Sequence, residues 1–190
     1  MRREILDRID RLRDICDLCA GPPLAQDLTE FEWLYDKVER LQPSTVLEIG
    51  VRYGGWLYCL APAFDKYAKI CGVDYPDEHS QIRMKVYRAL RKEGFTIRHI
   101  CADSTDPKTV LEAGKYLQWP IDLVHIDGGH DYETVKKDAE NYIPLGKMIV
   151  FHDIANRDYG VKKVWHELRR KYRAEGIIRQ VNMGIGIVHA

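Results

Sequence analysis

Five carboxylates fall where short apolar runs end: Glu48, Asp74, Asp103, Asp127 and Asp153, recurring every 24 to 29 residues. That interval suits one strand followed by one helix. If the runs are parallel strands of one sheet, all five acids share the edge where ligands bind, outside the carboxyl ends of the strands. One such acid serves equally well as a cap for the next helix. Five in successive units point to a ligand rich in hydroxyl, amino or cationic groups. The first acid opens a glycine turn, Glu48-Ile49-Gly50-Val51-Arg52-Tyr53-Gly54-Gly55, in which glycines allow a tight bend and close approach of backbone to a ligand. A dinucleotide site would want G-x-G-x-x-G to seat a pyrophosphate on the helix N-terminus. Here Arg52 takes the second glycine position and Glu48 would lie beside the phosphates, so a cationic ligand without phosphates fits better.

Histidines cluster at the later acids. His130 follows the fourth run and His152 ends the fifth. An imidazole titrates near neutrality, which suits either of them to act as a general base beside Asp127. Asp127, His152 and Asp153 also form a mixed donor set for a divalent cation, with oxygen ligands favouring Mg²⁺, Mn²⁺ or Ca²⁺. His125 lies inside an apolar run and reads as a core histidine. Trp33, Trp56, Trp119 and Trp165 read as packing, while Tyr53 and Tyr132 are better placed to touch ligands.

The elements that must position these groups follow from periodicity. An amphipathic helix is predicted over 4–19, stopped by Gly21-Pro22-Pro23, and a second over 28–41, capped by Asp27 with Glu30 three residues on. From 45 the pattern becomes alternating strands and helices. Strands are predicted at 45–49, 70–73, 97–101, 121–126 and 148–151, with helices near 55–65, 79–92, 106–117, 131–143 and 160–173. Two final strands, 177–181 and 185–188, are separated only by Asn182-Met183-Gly184, too short for a parallel return. The expected fold is therefore α/β: a single Rossmann-like doubly wound sheet, mainly parallel with one antiparallel strand near the C-terminus. Residues 1–43 would form an N-terminal helical segment and 44–190 the Rossmann-like domain.

Composition narrows the function classes. The 190 residues are 45% hydrophobic and 31% charged, with 29 basic and 29 acidic side chains. A formal net charge of zero argues against nucleic acid or an anionic membrane as partner. With no secretory signal and no long apolar span, the expectation is a cytoplasmic protein. Five cysteines fit a reducing compartment. Cys16-x-x-Cys19 continues the stripe of Ile5, Ile9 and Leu12, so core packing is favoured over metal or redox chemistry. The same stripe offers a seam for homo-oligomers.

Glu48-Ile49-Gly50 with Gly54-Gly55 resembles the first motif of class I S-adenosylmethionine-dependent methyltransferases, and the resemblance runs from about residue 44 to 190. Val124-His125-Ile126-Asp127-Gly128-Gly129-His130-Asp131-Tyr132-Glu133 and Ile149-Val150-Phe151-His152-Asp153-Ile154 are similar to the branch of macrocin-type O-methyltransferases and cephalosporin-hydroxylase-like proteins. The resemblance implies S-adenosylmethionine as cofactor. Glu48, Gly50 and Gly54 would hold its methionine end, Asp74 the ribose hydroxyls, and Asp103 with Ser104 the adenine. Arg52 and Tyr53 would cover it, and Asp127 would complete the set. The resemblance also implies transfer to a small-molecule acceptor such as a sugar hydroxyl, with a divalent metal in some members. Two alternatives stay open on sequence: a non-catalytic binding or assembly module on this fold, and a nicotinamide-dependent oxidoreductase.

Overall fold

The computed structural model describes residues 2–16 and 24–190. Seven strands form one sheet: β1 (Thr45–Ile49), β2 (Lys69–Asp74), β3 (Thr96–Cys101), β4 (Ile121–Ile126), β5 (Gly146–Phe151), β6 (Arg173–Ile177) and β7 (Ile185–His189). Their order across the sheet is β3-β2-β1-β4-β5-β7-β6. The first five are parallel, and β7 runs antiparallel to both β5 and β6. The doubly wound sheet with one reversed strand near the C-terminus is the expected fold.

Among the described residues, seven α-helices cover the sheet: α1 (Arg3–Ile15), α2 (Leu28–Leu41), α3 (Gly55–Leu60), α4 (Ser80–Lys92), α5 (Pro107–Leu117), α6 (Tyr132–Tyr142) and α7 (Val161–Lys171). Neighbouring strand residues point to opposite faces, and this divides the core in two. Val46, Ile70, Leu123 and Val150 pack with α1 to α4. Leu47, Cys71, Val124 and Ile149 pack with α5 to α7. Strands apolar on both faces need both helical layers, as in other parallel sheets. The N-terminal helices thus complete one face of the core, with Ile5, Leu12, Phe31, Leu34 and Val38 fully buried.

Four local expectations change. The strand predicted at 177–181 lies at 173–177, and the connection to β7 is correspondingly longer. Gly176 pairs with Gly186, and both lie against the Trp165 ring, where a Cβ would crowd it. That packing sets the register and leaves Ile178 and Val181 exposed beyond the strand. The capping box of α2 is half formed: Asp27 accepts from Thr29 and Glu30 N–H, but the Glu30 side chain turns away from Asp27. It is fully buried and accepts N–H bonds from Arg179, Gln180 and Gly184 in the β6–β7 connection. The helix predicted near 55–65 ends at Leu60 and continues as a 3₁₀ turn over Ala61–Ala63, where Pro62 removes a donor. Trp119 is half exposed, its ring lying against Gly114. Cys16 is buried; Cys19 and the Gly21-Pro22-Pro23 stop lie outside the described residues.

Candidate active site

The strand order reverses between β1 and β4, the crevice where open α/β sheets bind ligands. A cleft of about 840 Å³ opens there. Its wall includes Gly50, Asp74, Asp103, Asp127, His130, His152 and Asp153. The β1 turn sits tightly against the end of β4. Gly50 has φ of 82°, and a Cβ there would overlap the carbonyl oxygen of Asp127. Arg52 is also left-handed, with φ of 48°, a conformation costing a non-glycine residue about 1–2 kcal/mol. Hydrogen bonds hold it in place. Asp74 Oδ2 accepts from the N–H groups of Val51 at 2.9 Å and Arg52 at 2.8 Å. The Arg52 carbonyl accepts from the Arg83 guanidinium at 2.8 Å.

The acids of the first three strands are each held locally. Glu48 is buried and sits 3.2 Å from His125 Nδ1, its cross-strand neighbour in the register. Its other oxygen has no partner. Burial, then the charges of Asp127 and Asp74, push its pKa well above the usual carboxylate range. Burial likewise lowers His125 to about 3, so burial disfavours charge on both members of the pair, with the ring stacked flat on Trp56 at 4.0 Å. His125 is thus a core histidine, as read from its apolar run. Asp74 Oδ1 accepts from Tyr75 N–H at 2.8 Å. Asp103 accepts from the Thr105 hydroxyl at 2.7 Å and N–H at 2.8 Å, contacts that hold its pKa down. Ser104 lines the cleft beside it, its carbonyl bound by the Tyr142 hydroxyl.

At the β4 and β5 ends the pattern differs. His152 Nδ1 is 3.4 Å from both Asp127 and Asp153. His130 Nε2 is 3.4 Å from Asp153 and 3.7 Å from Asp127. These separations are long for hydrogen bonds, but each ring faces both carboxylates. Hydrogen bonding to Asp127 and then Asp153 lifts His130 to about 9. Burial opposes protonation of His152, yet the two carboxylates raise it to about 10. Asp127 and Asp153 are both depressed: burial works against this, and the imidazoles outweigh it. The two carboxylates and the two imidazoles thus favour one another's charged forms. Asp153 is itself left-handed, φ 59°, which turns its carboxylate back toward the histidines. The Tyr159 ring stacks on His130 at 4.3 Å.

Ligand atoms of Asp127, His130 and Asp153 lie within 4.8 Å of one another, so these three can close on one ion. Two carboxylates with one imidazole suit a divalent cation of the Mn²⁺ type. His152 faces the same two acids but is more buried, at 6% exposure. Gly54 (φ 82°) begins α3. Tyr53 is buried against His79 and beneath Arg52, and borders only a small cavity of about 60 Å³ beside Glu48. Tyr132 turns its hydroxyl to Glu167 on α7.

Sequence reasoning did not find Arg83, Asp138, Asn156, Tyr159, Asn182 or Met183. The last four line the cleft near the histidines. Arg83 and Asp138 carried a usable signal, since each places a charge on the buried stripe of its helix, beside Val86 and Leu90 and beside Val135 and Tyr142.

Residues 47–154, more than half of the chain, match the family model described as a methyltransferase domain. The uncharacterized protein y4gI of Sinorhizobium fredii is 31% identical over 148 residues, covering 72% of this chain. The chain spans only 16% of that relative's length. Among solved structures, an O-methyltransferase from Bacillus cereus in complex with SAH aligns over all of this chain and 92% of its own, with TM-score 0.70 and 15% identity. TomG from Streptomyces achromogenes, an O-methyltransferase involved in tomaymycin synthesis and solved with SAM, aligns over all of this chain and 91% of its own. Its TM-score is 0.68 at 14% identity. The SAH-bound methyltransferase PaMTH1 of Podospora anserina gives 0.63 at 12% identity, over all of this chain and 89% of its own. At these identities the likeness is one of fold.

Proposed function

Because the chain belongs to the methyltransferase domain family, we propose that it is an S-adenosylmethionine-dependent O-methyltransferase acting on a small hydroxylated acceptor such as a sugar. The observation that carries this reading is the meeting, in one cleft, of a glycine turn flanked by acids and a paired histidine–carboxylate cluster. The proposed cofactor end comprises Glu48, Gly50, Arg52, Tyr53, Gly54, Asp74, Asp103 and Ser104, with Asp127 between the two ends. The unpartnered oxygen of buried Glu48 supports a ligand carrying N–H donors, such as an amino acid's ammonium group. Residues 44–190 are proposed as the catalytic domain, with 1–43 as a helical segment that completes it.

Methyl transfer from a sulfonium is an in-line displacement, so the protein's tasks are to position the acceptor and take its proton. His130, more exposed than His152, is the better placed base; Asp127 and Asp153 fix the orientation of both rings. Since the two acids favour the protonated form of both rings, His130 must first lose a proton to serve as base. A divalent cation held by Asp127, His130 and Asp153, with His152 facing the same acids, would supply the alternative by lowering the pKa of the acceptor hydroxyl. No helix among the described residues is long and apolar enough to cross a membrane, and we place the protein in the cytoplasm. Calorimetry with S-adenosylhomocysteine tests the reading: micromolar affinity is expected, and no heat at millimolar ligand overturns it. Binding without methyl transfer to any of a panel of sugars and phenols would favour a non-catalytic module.

A further inference from the structure

Arg83 is almost fully buried, at 2% exposure, in the first turns of α4. A guanidinium removed from water is costly unless its charge and donors are met. Here they are met by three groups that all belong to the wall of the cleft. One nitrogen donates to the Arg52 carbonyl at 2.8 Å and to Asp77 Oδ2 at 3.1 Å, and lies 3.4 Å from Asp74 Oδ2. A second nitrogen donates to Asp77 Oδ1 at 3.1 Å. Arg52 follows β1, Asp74 ends β2 and Asp77 lies in the loop after it, and each borders the cleft.

We propose that Arg83 is the positioning residue that sets how Asp74 reads the ribose of the cofactor, an inference that rests on the S-adenosylmethionine reading above. The reasoning is a count of lone pairs. Asp74 Oδ2 already takes the N–H groups of Val51 and Arg52 and the approach of Arg83, so it has little left for a ligand. Oδ1 takes only the Tyr75 N–H, and its remaining lone pair is the one available to a ligand hydroxyl. Arg83 maintains this division. It closes the Oδ2 side and pins the strained Arg52 peptide against which that oxygen bonds. Through two parallel bonds it also fixes Asp77 at the next loop position. A lysine has a single point of charge and cannot span these three partners at once.

The test uses two probes, S-adenosylhomocysteine and its analogue lacking the ribose 2′- and 3′-hydroxyls, titrated calorimetrically into the full chain. The intact protein is expected to prefer the natural ligand by about 10- to 100-fold, as for a hydrogen bond to a charged acceptor. In Arg83→Lys and Arg83→Met this preference should fall to within about threefold, because the hydroxyls lose a fixed partner. A purely structural role would weaken both ligands alike and leave the ratio unchanged, which would overturn the proposal. Should the Arg83 variants fail to fold, Asp77→Ala releases the guanidinium from its bidentate anchor while removing only a loop side chain. It should lower the preference at least threefold, and an unchanged ratio overturns the proposal. If the unaltered protein binds neither probe, the cofactor reading falls and this proposal with it. If it discriminates and every variant discriminates equally, only the role of Arg83 falls.

Discussion

Asp74 is tied down by backbone donors of the β1 turn and of Tyr75, and Asp103 by Thr105, whereas Asp127 and Asp153 are balanced chiefly by two imidazoles. The first arrangement is independent of pH across the neutral range, because amide donors do not titrate. The second holds only while the histidines keep their protons or something else supplies positive charge. One end of the cleft is therefore built as a fixed template and the other as an exchangeable cluster. A template suits a ligand common to many reactions; an exchangeable cluster suits the place where a proton or cation must come and go.

The sharpest way to break this contrast is His130→Ala. It should reduce methyl transfer about 10²- to 10⁴-fold, the usual contribution of a positioned base, with S-adenosylhomocysteine affinity changed less than about threefold. Full turnover in that variant would move the base to His152 or to metal-activated chemistry. Asp74→Ala should do the reverse. It removes a ligand acceptor and frees the strained Arg52 turn, so affinity is expected to fall about 100-fold, roughly one charged hydrogen bond.

Thermal stability against pH sharpens the comparison. With divalent ions chelated, His130 and His152 bind protons more tightly in the fold, up to about 9 and 10, than the unfolded chain does near 6.5. Their contribution is fully present below about pH 6.5 and is lost as pH rises toward 10. His130 is open to solvent and screened, whereas His152 is buried at 6% exposure, so a loss of at least roughly 1 kcal/mol is expected, or about 2–4 °C in melting temperature. A divalent ion that binds Asp127, His130 and Asp153 should blunt this decline and raise the melting point with the logarithm of its concentration above the Kd. No shift with millimolar Mn²⁺ or Mg²⁺ would remove the metal.

The smallest effect is expected outside the cleft. Asp138 is fully buried behind the Ser104 segment, its carboxyl pushed up to about 7 chiefly by burial, with Asp103 and Asp131 adding. Folding therefore holds a proton on it between about pH 4 and 7, and stability falls across that window as pH rises. Asp138→Asn removes this penalty. It should stabilise the protein by about 1 kcal/mol at pH 8 and by less at pH 4. An equal effect at both pH values would show that charge is not the cause.

Strand ends were legible because apolar runs and the acids after them obey a short-range rule, and every strand but β6 falls within two residues of expectation. β6 slipped because its register depends on the Trp165 ring lying over Gly176 and Gly186, a contact between an edge strand pair and a helix that no local pattern encodes. Glu30 was misread for a related reason. At N3 of α2 it has the place of a capping-box residue, yet a loop some 150 positions later in the chain offers it three N–H groups.

Sequence alone thus determined the comb of acids, the glycine turn and the alternation of strand and helix, since these follow from backbone periodicity and from the residue types that end a strand. Tertiary structure decided which charge answers which. Glu48 is buried beside His125 with its pKa raised, Asp74 is held by amides and Arg83, and Asp127 and Asp153 are held by two histidines. Such pairings depend on desolvation and on distances of a few ångströms between segments far apart in the chain, and a linear pattern of residue types contains neither.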